Sequence, residues 1–588
     1  PTLLLLDNLE QLVDGAPIVG ELATRADQLR ILVTSQVPLR IGGEAVVQLG
    51  PLGGEDAATL FVERARARDR EFAPGAGEET TIASICERVD RMPLAIELAA
   101  ARAASLGLQE LDRRLERPLG LLTRGDRDMP ERHRSLRAAI EWSQAVLSAE
   151  DMRLFTSLGA CAGPVPLGLV QAIATAGDGL DGISEPQLET TLETTLDQID
   201  NLVECSFVQR RHDLQLGLRF VMPQALRNYA AELLAESGSE QEVRQRHAQH
   251  VTELAWAARL WKWGATDEQR SALLAVGLEI RPAVAWAREH APALHVRLCS
   301  ALATYWVYRG VISEAADEFR RALDSGAGSA AERARCLTLL AQCVRLQSDG
   351  EQALDLVDQA CAEWEQVEDP VERALGYGDL SWILRWAGRP DQAVPMCEQA
   401  LSILRGTRDR RLTLRGLVIL AHAYGDNDDL ENTERVVAEA GELAGDDPTW
   451  EIDAIRGDCA LFRGDNRRAI ELYAKSLAWT SQTGEFHQML MDLRCLGICL
   501  GRAGHAEAAL ELIELIRLHE VQTGRTGNIS SAAAMLADSR DRSLQLAGPV
   551  AAKAAVARAR TVPASLRVQR ALELSLEEAP AATAHAIT

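Results

Sequence analysis

Trp386-Ala387-Gly388-Arg389-Pro390-Asp391-Gln392-Ala393 holds the arrangement that decides the fold: a small residue, Gly388, in a short turn, and an apolar anchor, Ala393, five places later. The pairing returns as Gly310 and Ala315, Ser348 and Ala353, Gly425 and Leu430, Gly464 and Ala469, and Gly504 and Ala509. The anchors follow one another at 38, 40, 37, 39 and 40 residues. A regular period of this size marks stacked supersecondary units, none of which can bury its apolar face alone. Each unit reads as helix, tight turn, helix, and the small residues let paired helices approach closely. Stacked from about residue 300 to 520, the units predict an α-solenoid with a concave groove. Tyr305, Trp306 and Tyr308 in the first unit, and Trp382 and Trp386 in the third, are candidates to line that groove. The i, i+4 spacing of the two tryptophans is more often that of repeat core than of ligand contacts.

Composition agrees with a helical, multidomain chain. At 588 residues it exceeds what one core can organise, and length alone predicts about three to five domains. Hydrophobic content of 47% with 25% charged residues belongs to folded protein rather than to disorder. A net charge of −24 repels phosphate backbones, so DNA binding would need a locally basic surface. The eleven cysteines are scattered without a CxxC pair. Cys495 and Cys499, four apart on one predicted helix, read as buried reduced thiols rather than zinc ligands, because no second ligand pair accompanies them. The pattern suits a reducing cytoplasm. Neither a signal peptide nor an apolar run of membrane-spanning length is present.

Leu3-Leu4-Leu5-Leu6, followed by Asp7-Asn8-Leu9-Glu10, reads as a buried parallel strand with acidic groups at its carboxyl end. A second apolar strand, Ile31-Leu32-Val33, ends in Thr34-Ser35-Gln36. Between them Gln11 to Gln28 has a helix pattern, with Leu12, Val13, Ile18, Val19 and Leu22 apolar. Strand, helix, strand is the doubly wound unit, whose ligands sit beyond the carboxyl ends of the strands. In a P-loop NTPase such an Asp holds the Mg²⁺ that bridges the nucleotide phosphates.

Farther along, Glu55 to Arg68 and Glu79 to Arg91 are predicted helices, and a third begins at Pro93, a residue suited to a first helical turn. After a polar linker at Arg124 to Arg132 come helices at 135–147, 149–158, 166–174 and 187–203, the last preceded by a Gly- and Asp-rich stretch from Gly177 to Ser184. Two short β segments follow, Ser206–Arg211 and Leu218–Met222, with His212-Asp213 expected in the turn. Three helices and a wing make a winged helix. Its candidate recognition helix, Gln187 to Asp197, carries three acids and no base, which argues for a switch element rather than a DNA reader. His247 and His250 lie three apart on a helix and read as surface histidines rather than metal ligands.

Four segments in order, LLLLDNLEQL (3–12), LRILVTSQVPLRIGGE (29–44), CERVDRMPLAIELAAAR (86–102) and RSLRAAIEWSQAVLS (134–148), resemble the NB-ARC-like ATPases of bacterial STAND regulators. The likeness is greatest to those of LuxR-type and AfsR-type transcriptional activators and covers roughly residues 1 to 260. The repeats resemble the tetratricopeptide-like domains that follow the switch in such regulators. The resemblance implies ATP/ADP with Mg²⁺ as cofactor, Asp7 as the metal carboxylate with Asn8 beside it, Thr34 and Ser35 near the terminal phosphate, and Pro93 against the adenine. Three departures weaken nucleotide binding. No GxxxxGK[ST] occurs, and Lys262, Lys475 and Lys553 lie outside any glycine-rich turn. Gln36 stands where the family's sensor arginine is usual. Pro223, in Met222-Pro223-Gln224-Ala225-Leu226-Arg227, replaces the histidine of the related MHD segment and has no N–H to offer.

The expected organisation is a partial P-loop NTPase over residues 1–50 and a helical lid over 51–123, then a winged helix over 124–236 and a helical connector over 237–299. Tetratricopeptide-like repeats then occupy 300–520, and a helical cap with a tail 521–588. The expected fold class is mainly α with that small α/β remnant. Because the chain opens in mid-strand at Pro1, an upstream part carrying the phosphate loop is expected; decay of the module is the alternative. As it stands the chain is expected to be at most a slow regulatory ATPase. The expected function is a cytoplasmic signal-transduction regulator of transcription, its repeats sensing a protein or small molecule. Self-oligomerisation is implied by the resemblance, and any DNA contact would belong to a missing effector domain. The rival is a nucleotide-dead scaffold.

Overall fold

The computed structural model describes residues 2–7, 9, 12, 15–26, 28–47, 49–70, 72–75, 77–115, 136–144, 146–174, 185–213, 216–259, 266–309, 312–346, 350–387, 389–444, 450–483, 486–523, 530–563 and 566–577. It is mainly α, with 27 helices and four short strands among the described residues. The chain divides into two compact units, residues 1–254 with 271–289, and residues 255–270 with 290–588. None of the described helices is long and apolar enough to cross a membrane.

In the first unit β1 (Thr2–Leu6) and β2 (Leu29–Val33) pair in parallel, Thr2 opposite Leu29 and Leu6 opposite Val33. The helix between them is shorter than its pattern suggested, α1 (Ala16–Arg25). Ala16, Val19 and Leu39 form a small core with Leu6, Ile31 and Val33 against it. The expectation of a fully buried strand is corrected: Leu3 is 66% exposed, Leu5 60% and Leu32 54%. The pleat sends alternate side chains to opposite faces, and among the described residues α1 packs beside only one of them. For the same reason Leu12, Ile18 and Leu22 of the predicted helix are exposed while Val19 is buried; Val13 lies outside the described residues.

Next come α2 (Gly54–Arg68), α3 (Glu78–Arg88), α4 (Pro93–Leu106) and α5 (Leu108–Arg114), which enclose Phe61, Ile85, Ile96 and Leu111. The helix read as far as Arg91 stops at Arg88, because Asp90 and Arg91 take left-handed φ values of 53°. The linker at 124–132 and the stretch 177–184 lie outside the described residues.

Helices α6 (Leu136–Gln144), α7 (Ala149–Leu158), α8 (Leu167–Ala174) and α9 (Glu185–Glu204) precede an antiparallel hairpin, β3 (Gln209–Asp213) and β4 (Gly217–Val221), and then α10 (Gln224–Glu236). Ser148 caps α7 by accepting from the Asp151 amide. His212 and Asp213 complete β3 rather than forming the turn, since Asp213 pairs with Gly217. Val165 adds a two-bond bridge to Phe220, each bond 2.9 Å. Gly159 is required where α7 meets α10: a Cβ there would lie 2.5 Å from the Ala230 carbonyl carbon. Connector helices α11 (Glu240–Ala257), α12 (Asp267–Ala275) and α13 (Ile280–His290) follow.

The second unit is a tetratricopeptide-like α-solenoid. Its helix pairs are α14 (Pro292–Arg309) with α15 (Ile312–Asp324), α16 (Ala330–Leu346) with α17 (Gly350–Glu365), and α18 (Pro370–Trp386) with α19 (Pro390–Gly406). They continue as α20 (Arg410–Asp426) with α21 (Leu430–Ala444), α22 (Trp450–Phe462) with α23 (Asn466–Thr483), and α24 (Phe486–Ala503) with α25 (Ala506–Thr523). Among the described residues, from α14 to α22 the first helices of successive pairs touch one another, and the second helices make no comparable contact. The first helices therefore line the inner side of the curve.

Ala315, Ala353, Ala393, Ala469 and Ala509 are fully buried, each in the first turn of a second helix. The fourth anchor is corrected. Leu430 begins α21 and is only half-buried, whereas Thr433, three places on, is 2% exposed. Five residues before Thr433 stands Asp428 with φ 56°, taking the left-handed turn that Gly464 (φ 79°) and Gly504 (φ 92°) take in later units. Asp tolerates that region well enough to replace glycine, which hid the true register. Gly310, Ser348 and Gly388 lie outside the described residues. The array ends in α26 (Ser530–Thr561), bent at Gly548 (φ 72°) ahead of Pro549, and α27 (Arg567–Glu577), which packs on α23 and α25.

Candidate functional site

Parallel pairing carries Asp7 and Thr34 to the same end of the strand pair. The Thr34 amide donates to the Leu6 carbonyl at 2.9 Å and the Leu9 amide to the Thr34 carbonyl at 3.0 Å, so backbone pairing continues just beyond the strands. The Thr34 hydroxyl donates to Asp7 Oδ1. Both side chains and Ser35 face solvent, and Ser35 Oγ accepts from the Val37 amide at 3.3 Å. Asn8 lies outside the described residues. A carboxylate and a hydroxyl are hard oxygen donors of the kind Mg²⁺ takes.

Pro93 is exposed in the first turn of α4, in a loop tied to the start of α10. Asp90 Oδ2 accepts from the Gln224 amide at 2.5 Å, directly after Pro223. Burial pushes the Asp90 carboxyl up from its ordinary value, with backbone hydrogen bonds from Gln224 and Ala225 opposing. The structure thus joins the two segments, 90–93 and 222–227, that sequence reasoning had considered separately. A second tie runs from the strand end: Arg40, itself at φ 53°, donates to Asn201 Oδ1 at 3.2 Å and pairs with Glu204 at 2.5 Å, both on α9. Neither Asp90 nor Arg40 stood out in the sequence. Their signal is conformational, a left-handed backbone at a non-glycine residue, which one-letter patterns do not carry.

His247 is buried and His250 half-buried, where surface residues were expected. His247 is 3% exposed, and its Nε2 lies 3.0 Å from Glu279 Oε2. Burial, together with His247, pushes His250 down to about 4. Glu279, fully buried, also accepts from the amides of Ala162 and Gly163 at 2.8 to 3.0 Å. Sequence reasoning missed it, although a lone acid in Val276-Gly277-Leu278-Glu279-Ile280 is the type of residue whose burial demands partners.

On the inner layer of the array, charged pairs bridge successive first helices: Arg335 with Glu372 at 2.8 Å, Arg385 with Asp426 at 2.7 Å, and Arg415 with Asp379. Trp382 packs on His422, ring centroids 5.1 Å apart, with the Arg385 guanidinium 4.5 Å from its centroid. Of the other groove candidates, Tyr305 and Trp306 are buried, Trp306 edge-on to Phe319 at 5.6 Å, so both belong to the core. The Tyr308 and Trp386 side chains lie outside the described residues. Cys495 and Cys499 are buried free thiols, burial pushing Cys499 up to about 12.

No family model matches the chain. It is 34% identical over 345 residues to a Mycobacterium tuberculosis protein (strain ATCC 25618 / H37Rv) named "Putative HTH-type transcriptional regulator", which covers 57% of this chain and 37% of that protein. It is 33% identical over 252 residues, 42% of this chain and 61% of the relative, to an uncharacterized protein of the same organism. The chain therefore spans little more than a third of the first relative and about three-fifths of the second. Among solved structures it is similar to a Signal Transduction ATPase with Numerous Domains (STAND) protein with a tetratricopeptide repeat sensor from Pyrococcus horikoshii. That likeness spans 99% of this chain and 83% of that one, at 12% identity and a TM-score of 0.42.

Proposed function

We propose that the chain is the switch-and-sensor portion of a STAND-type signal-transduction regulator of transcription. The observation that carries this reading is the Asp7–Thr34 pair at the carboxyl ends of two parallel strands, where ligands of doubly wound sheets bind. In it Asp7 holds Mg²⁺, Asn8, Thr34 and Ser35 face the phosphates of ATP or ADP, and Pro93 lies against the base. A bound nucleotide would supply charge that orders these loops. The chain's own part is to relay that order, through Arg40 to Glu204 and through Asp90 to the start of α10. Helices α7 to α9 with the β3–β4 hairpin act as a winged-helix switch element rather than a DNA reader, and the array binds the activating protein or small molecule. The mechanism is a two-state equilibrium biased from both ends. The mycobacterial relative's name supports a transcriptional setting.

A nucleotide-dead scaffold is the second reading, favoured by the lack of a GxxxxGK[ST] loop in these 588 residues and by Gln36. Thermal melting separates the two. In protein extended upstream of Pro1 to include a phosphate loop, millimolar Mg·ADP raises the melting temperature, and Asp7→Ala removes the gain. An extended protein whose melting ignores ADP supports the scaffold.

A further inference from the structure

Among the described residues one group of three metal-ligating side chains converges, and nothing in the switch uses it. Cys161 leaves the end of α7, His247 stands on α11, and Glu279 precedes α13; all three are buried. Their ligand atoms, a sulfur, a ring nitrogen and a carboxylate oxygen, lie within 4.8 Å of one another. Around a tetrahedral zinc ion, ligand atoms sit roughly 3.3 to 3.7 Å apart at ordinary bond lengths. The His247–Glu279 edge, a 3.0 Å hydrogen bond, needs to open by about 0.3 Å, and the sulfur, within 4.8 Å, to close by about 1.3 Å at most.

We propose that Cys161, His247 and Glu279 form a zinc site that pins the connector helices to the turn after α7. The surroundings suit that role. Glu279 is oriented by the Ala162 and Gly163 amides, the kind of outer-shell donors that fix a ligating carboxylate. The turn is held from outside as well: Arg227 Nη1 donates to the Ala162 carbonyl at 2.6 Å, and Gly163 packs so closely on Leu278 that a Cβ would lie 2.6 Å from Cδ1. Charge balances too. A divalent ion with one thiolate, one carboxylate and a neutral imidazole sums to zero. Sulfur and imidazole together select zinc over Mg²⁺ or Ca²⁺.

The test uses the purified 588-residue chain, stripped with chelator and titrated with Co²⁺ as a spectroscopic stand-in for Zn²⁺. The expected result is one equivalent bound with a near-ultraviolet sulfur-to-cobalt charge-transfer band, displaced by Zn²⁺. Cys161→Ala removes the band, while Cys495→Ala leaves it. His247→Ala weakens binding by more than the roughly 10- to 100-fold that outer-shell losses produce. Should Cys161→Ala fail to fold, Cys161→Ser keeps the shape and must show the same loss. A folded wild-type chain without the band, or a band that survives in either Cys161 variant, overturns the proposal.

Discussion

The repeat array and the N-terminal strand pair are built from comparably apolar sequence, yet they end differently. In the array Trp364 is buried at 1% exposure, its indole N–H donating to Thr338 Oγ1 at 3.1 Å, and the anchor alanines are sealed between helices. In the strand pair Leu3, Leu5 and Leu32 stand more than half exposed. The array closes because each helix pair finds its covering surface in the next pair along the chain. A parallel sheet must recruit strands and helices from far away in sequence, and two strands with one helix supply half of what is needed. Local partners make a core self-sufficient; distant ones leave it conditional.

Substitutions can break that contrast. The largest effect is expected at Trp364→Ala, which should cost the array about 3–5 kcal/mol in denaturant unfolding; a cost under 1 kcal/mol would mean its core is loose. Gly376→Ala comes next. Its Cβ would lie 2.2 Å from the Trp364 ring, and overpacking there should cost about 1–3 kcal/mol. Asp458 offers a change of opposite sign. Burial pushes its carboxyl up from an ordinary 3.8 to about 7, opposed by the hydrogen bond from Tyr473. The folded state therefore keeps a proton that the unfolded state loses from about pH 4 upward. The contribution of Asp458 is fully present below the unfolded value and is lost as pH rises through about 7. Asp458→Asn, which still accepts from Tyr473, should stabilise by about 1–2 kcal/mol at pH 8 and by little at pH 4, as thermal melts at the two pH values would record. Smallest is Leu5→Ser in the strand pair, expected within about 0.5 kcal/mol and accompanied by weaker binding of an apolar dye. A loss of 2 kcal/mol there would show that the exposed face is already covered.

The same contrast governs what could be read beforehand. Five of the six anchors were legible because a period repeats its evidence. The fourth slipped by three residues because Asp428 replaces a glycine at the left-handed turn. Pairing of Asp7 with Thr34 was legible from two apolar runs with polar ends, but the exposure of Leu3 and Leu5 was not, since burial depends on distant strands. Asp90, Arg40 and Glu279 escaped notice because tertiary contacts between remote segments gave them their partners. His247 was misplaced on the surface for the same reason.

Direct binding of Mg·ADP, followed by isothermal titration calorimetry on upstream-extended protein and its Asp7→Ala variant, bears most closely on the nucleotide gate. The account predicts a stoichiometric site whose affinity falls at least about tenfold, roughly 1.4 kcal/mol, when the carboxylate is removed. Equal affinity in the two proteins would contradict it, since the strand end would then hold neither the metal nor the phosphates.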